Sequence, residues 1–160
     1  MIKELMHDPI FLAQKSETAD KNDIQTANDL RDTLEANRER CVGMAANMIG
    51  VKKRMICFVS DGEYMIMFNP EIIKQSDPYD TEEGCLSLLG GPRKGKRYKK
   101  IKVKYQNEDI QVRIKTFSDF TARNSFNRFF FAVEYLCWTR VNKHICIYGT
   151  GFYNGTIYSK

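Results

Sequence analysis

Arg54 to Ile73 reads RMICFVSDGEYMIMFNPEII, and this stretch decides the fold. Two short apolar runs, RMICFVS and EYMIMFNPEII, flank Asp61-Gly62. That dipeptide accepts the left-handed backbone of a tight turn, so the stretch predicts a β-hairpin. Downstream, KKIKVKY and IQVRIKTF alternate. Ile101, Val103 and Tyr105 share one face against Lys102 and Lys104, and Ile110, Val112 and Ile114 share one against Gln111, Arg113 and Lys115. Period-two alternation predicts two half-buried antiparallel strands. Upstream, Asp20 to Arg40 has helical spacing, with Asp20 or Asn22 as cap and Ile24, Ala27, Leu30 and Leu34 on one face.

The 160 residues are enough for one domain with a real core, and the expected organisation is a single domain over 1–160. Hydrophobic residues at 42% and charged residues at 28% are ordinary globular usage, which excludes a disordered polypeptide. No apolar run approaches the ~20 residues of a membrane span. The opening MIKELMHDPIF lacks the basic-then-apolar order of a signal peptide, so a cytoplasmic location without membrane association is expected. Cys41, Cys57, Cys85, Cys137 and Cys146 lack CxxC spacing and read as thiols rather than as a disulfide framework. Net charge is +5, and the densest basic cluster, PRKGKRYKK from Pro92 to Lys100, reads as a solvated loop or as a surface drawn to RNA, including the ribosome. Nothing beyond it points to a DNA- or RNA-specific reader.

After Arg123 the composition turns aromatic, and Glu134 is the only carboxylate left. SFNRFFFAVEYLCW has helical spacing in Phe126, Phe129, Phe130, Val133 and Leu136, and HICIYGTGFYNGTIYS has the look of a strand pair with glycine turns. An aromatic-rich segment of this kind is either packed core or a sticky surface.

Two segments carry more than fold information. In CVGMAANMIG, Cys41 to Gly50, the small Gly43, Ala45 and Ala46 let a backbone approach another polypeptide or a ligand, although a tight strand entry has the same composition. In EEGCLS, Glu82 to Ser87, Gly84 frees the backbone to turn the Cys85 thiol toward a cavity, although a lone cysteine is more often a small buried hydrophobe. In this order and spacing the two resemble the motifs of peptide deformylases, the metal hydrolases that remove the formyl group from the initiator methionine of nascent bacterial proteins. The GxGLAAxQ form is met by Gly43-Met44-Ala45-Ala46-Asn47-Met48, and EGCLS by Glu83-Gly84-Cys85-Leu86-Ser87. The resemblance runs from the first residues to about Arg123, where TFSDFTAR leads toward the position of a third motif.

The resemblance implies an α+β fold with antiparallel sheets around a central helix and a divergent C-terminal portion over 124–160. It implies formylated nascent peptides as substrate. It also implies a divalent metal, Fe2+ with Zn2+ or Ni2+ able to substitute, held by Cys85 and the two histidines of a helical HExxH, with the fourth position left to water. Leu86 would supply a backbone donor to the developing oxyanion, Met48 stands where the family has its glutamine donor, and Val42, Gly43 and Met44 would line the peptide groove.

Two departures follow from the residues themselves. A thioether at Met48 cannot donate a hydrogen bond, and loss of one such donor costs roughly 10²–10³ in rate. Beyond FTAR the sequence reads Asn124-Ser125-Phe126-Asn127-Arg128, with no HExxH; the only histidines are His7 and His144, neither in paired spacing. No general acid/base is identifiable. The expectation is a deformylase-family protein with hydrolysis lost or impaired. The alternatives are a catalytically inactive peptide- or ribosome-binding protein and a nonfunctional remnant. The sharp change after Arg123 points to a coding sequence shifted or joined to foreign sequence there.

Overall fold

The structure, a computed structural model, describes residues 1–83 and 93–118. Short helix α1 (Pro9–Leu12) precedes a 3-10 turn at Lys21–Asp23 that runs into α2 (Ile24–Ala36). Five strands follow: β1 (Gly43–Ala45), β2 (Met55–Ser60), β3 (Glu63–Glu83), β4 (Arg93–Gln106) and β5 (Val112–Ser118). They form one antiparallel sheet in the order β1-β2-β3-β4-β5. Among the described residues this is an α+β arrangement, and no described helix is long and apolar enough to cross a membrane. The aromatic segment from 124 onward lies outside the described residues.

Asp20 caps the helical segment as expected, its carboxylate accepting from the Asn22 N–H at 2.7 Å. Ala27, Leu30 and Leu34 are fully buried against the sheet, whereas Ile24, in the first turn, is 38% exposed. The helix stops at Ala36 rather than Arg40, because the Asn37 amide folds back onto the Thr33 C=O at 2.8 Å. On the opposite face Asp29 accepts from the Met1 ammonium at 2.8 Å and pairs with Lys3 at 3.1 Å. Burial pushes this carboxyl up, but the bonds from Met1, Gln25 and Lys3 outweigh that and hold it at about 2.

The hairpin at Asp61-Gly62 forms as expected. Ser60 pairs with Glu63, and both turn residues have positive φ, 54° and 88°, the signature of a type I′ turn. β3 continues well past Ile73, bent by register shifts on either side of Glu71–Ile72. Asn69 takes φ 50° at the first irregularity, and its amide clasps both the N–H and C=O of Ala19 at 2.8 Å, tying the N-terminal segment to the sheet.

Two expectations are corrected. The basic stretch is not a loop: from Arg93 onward it is strand β4, and its register sets Arg93 opposite Glu83, Lys94 opposite Glu82 and Lys96 opposite Asp80. In β5 the buried face has the other parity. Ile101 pairs with Phe117 and Val103 with Lys115, so Phe117 enters the core while Val112 and Ile114 are 56% and 55% exposed. The cause is the turn: Ile110 takes a left-handed φ of 60° and packs partly against the core, which shifts the alternation that follows. Phe58 of β2 meets Phe117 edge to face, with ring centroids 6.1 Å apart.

Candidate functional site

The segment Cys41–Gly50 folds as an edge strand followed by a tight turn. β1 pairs only with β2 among the described strands, in the register Gly43 to Phe58, Met44 to Cys57 and Ala45 to Ile56. The Val59 N–H donates to the Val42 C=O at 2.9 Å. Hydrogen-bonded and non-bonded pairs alternate in an antiparallel ladder. Val42 and Met44 therefore turn their backbone groups to β2, and Gly43 and Ala45 turn theirs away from it. Two of the four outward groups are met by sulfurs. The Cys41 thiol donates to the Gly43 C=O at 2.8 Å, and the Ala45 N–H donates to the Met48 Sδ at 3.5 Å. Sulfur is a weak donor and acceptor, so these contacts yield to an amide partner more readily than a sheet bond would.

After Ala45 the backbone turns through a 3-10 helix at Ala46–Ile49 and leaves through Gly50, whose φ of 80° is left-handed and requires glycine. The Met48 C=O accepts from the Met6 N–H at 2.8 Å, pinning the turn to the N-terminal segment. Val42 is half-buried and Gly43, Met44, Ala45 and Met48 are buried, with the Met44 and Met48 side chains wholly in the core. Met48 therefore acts through its sulfur on Ala45, not as a donor. The thiols nearby are inert: burial pushes Cys41 up to about 11, partly opposed by the Gly43 backbone, and Cys57 up to about 12.

Of the residues read from the sequence, the structure brings Val42, Gly43, Met44 and Met48 together; Cys85 and Leu86 follow the end of β3 and lie outside the described residues, as does His144. His7 is exposed in the N-terminal segment. Ala45, read as a small residue that permits close approach, is the second outward-facing strand residue, which only the pairing reveals. One residue was missed. Asn47 is 1% exposed, and neither its Nδ2 nor its Oδ1 has a hydrogen-bond partner among the described residues. For the divalent metal, no group of three His, Cys, Asp or Glu side chains among the described residues fits the ion.

This edge strand, turn and α+β sheet meet their counterparts in a known class of hydrolase. The polypeptide deformylase family profile matches residues 4–126, and the protein belongs to that family. It is 51% identical over 123 residues to a peptide deformylase of Clostridium beijerinckii, covering 77% of this protein and 90% of that one. Among solved structures it is similar to a peptide deformylase from Legionella pneumophila, with TM-score 0.67 and 28% identity over 77% of this protein and 76% of that one. A class I type b peptide deformylase from Acinetobacter baumannii, solved with Met-Ala-Ser bound, shares the fold with TM-score 0.66 and 24% identity, over 77% and 87% of the two proteins. The family is metal-dependent, and its members act on formylated nascent peptides.

Proposed function

We propose that this protein receives the N-terminal end of an N-formylmethionyl peptide as an added strand beside β1, and that it holds such peptides with deformylation lost or strongly impaired. The observation that carries the reading is the outward direction of the Gly43 and Ala45 backbone groups on an edge strand. Strand addition draws its affinity from backbone hydrogen bonds of this kind. Val42 is the most accessible of Val42, Gly43, Met44 and Ala45, and Gly43 keeps the approach unobstructed by a side chain.

Impairment is argued from the residues. Met48 offers no donor where the family has glutamine, and no HExxH occurs in the 160 residues, leaving no histidine pair or glutamate to join Cys85 and move a proton. In this reading Leu86 contributes its backbone N–H to the bound formyl oxygen. Cys85 would be one ligand of a divalent metal, Fe2+, Zn2+ or Ni2+, which when bound in the family polarises the carbonyl and activates water. The reading is of one domain in the cytoplasm, and the basic stretch 93–100 supports docking near the ribosome, where formylated peptides emerge.

The test is to titrate formyl-Met-Ala-Ser into the full-length protein and to assay formate in the same samples. Saturable binding without formate release is the expected result. Formate release well above the buffer rate restores the hydrolase reading, and absence of binding to either the formylated or the unformylated peptide removes the groove.

A further inference from the structure

Among the described residues, Asn47 is the one buried side chain of the site with two unused polar atoms. Its surroundings have met their own needs: the Gly50 N–H donates to the Asn47 C=O at 3.1 Å, the Val51 N–H to the Ala46 C=O at 3.0 Å, and the Met6 N–H to the Met48 C=O at 2.8 Å. Within Cys41–Gly50 the only side chains that carry a hydrogen donor are Cys41 and Asn47, and the Cys41 thiol is spent on Gly43. Native proteins rarely bury an amide without partners, because its desolvation is not returned. The groups left open define what would return it: one acceptor for Nδ2 and one donor for Oδ1.

An extended peptide residue presents that pair, since its N–H and C=O point to the same side of the strand. We propose that Asn47 is a positioning residue for the docked peptide, its Nδ2–H donating to a backbone carbonyl and its Oδ1 accepting from the N–H of the same residue. The inference rests on the peptide-groove reading above and adds to it a side chain two residues beyond β1. The free protein already carries the amide's desolvation, so both hydrogen bonds are gained on binding with little further loss. The same logic makes the residue costly when unliganded, as binding residues often are.

The probe is formyl-Met-Ala-Ser, with binding and thermal unfolding measured on the full-length protein and on Asn47→Leu, which keeps the side chain's approximate volume. The expected result is binding weakened by roughly tenfold or more together with a Tm unchanged or raised. In the parent protein, the Asn47 side-chain amide resonance should move when the peptide is added. Unaltered affinity in Asn47→Leu overturns the inference and leaves the groove intact. A Tm lowered by several degrees with unaltered affinity also overturns it, assigning the amide to an internal water and a structural role. If Asn47→Leu does not fold, the amide resonance decides: movement supports the assignment and a stationary signal rejects it. Failure of the parent protein to bind the peptide overturns the groove reading and this inference with it.

Discussion

Among the described strands, the two edges of the sheet are built on opposite rules. The β5 edge is seven residues long and carries Arg113 and Lys115 beside the exposed Val112 and Ile114; long basic side chains are a common means of keeping an edge from pairing with another strand. The β1 edge is three residues long, uncharged and buried, and two of its outward backbone groups, the Gly43 C=O and the Ala45 N–H, rest on sulfurs. One edge is guarded against strand addition, while the other is closed by contacts weak enough to be exchanged. The comparison supports the proposal that β1 is the edge through which a peptide is received.

Both edges depend on one ring. Phe58 lies opposite Gly43 in the β1–β2 ladder and packs against Phe117 of β5. Phe58→Ala should destabilise the fold by about 3–5 kcal/mol in denaturant unfolding. A loss under 1 kcal/mol would mean that the edges are not coupled through it. Gly43→Pro removes an N–H that faces away from β2, so the β1–β2 ladder keeps its bonds. Peptide affinity should fall by roughly tenfold or more, whereas retained affinity would place the peptide elsewhere. Gly62→Ala in the I′ turn, at φ 88°, should cost about 1 kcal/mol without changing peptide affinity. Ile114→Ser, on the guarded edge, should change stability by no more than about 0.5 kcal/mol and binding not at all.

A pH dependence belongs to α2, which packs against β1, β2 and β3. The Asp29 carboxyl is lowered from 3.8 to about 2 in the folded protein. A depressed folded-state value means that the stabilisation is complete above the unfolded value and disappears as pH falls through the folded one. Urea midpoints should therefore fall between about pH 4 and pH 2, and Asp29→Asn should flatten that part of the profile.

What the sequence made legible was local. Asp61-Gly62 announced its turn because both residues tolerate the left-handed backbone, and Ile101, Val103 and Tyr105 alternated without interruption. The parity of β5 was not legible, since it is set by a β-branched residue, Ile110, in a left-handed conformation that turn chemistry would assign to glycine or asparagine. The acidic end of β3 and the basic stretch at the start of β4 are cross-strand neighbours only once the bulges near Asn69 have fixed the register. At the site, the motif segments were visible as a family resemblance. That Met48 caps Ala45, and that Asn47 is buried with no side-chain partner among the described residues, depends on tertiary placement that no spacing in CVGMAANMIG records.

Amide hydrogen exchange on the full-length protein, with and without formyl-Met-Ala-Ser, tests the difference between the edges most directly. The outward N–H groups of Gly43 and Ala45 should gain protection on peptide addition while Val112–Ser118 stays unchanged. Protection gained along β5, or saturable binding with no change at Gly43 and Ala45, would contradict the assignment of β1 as the receiving edge.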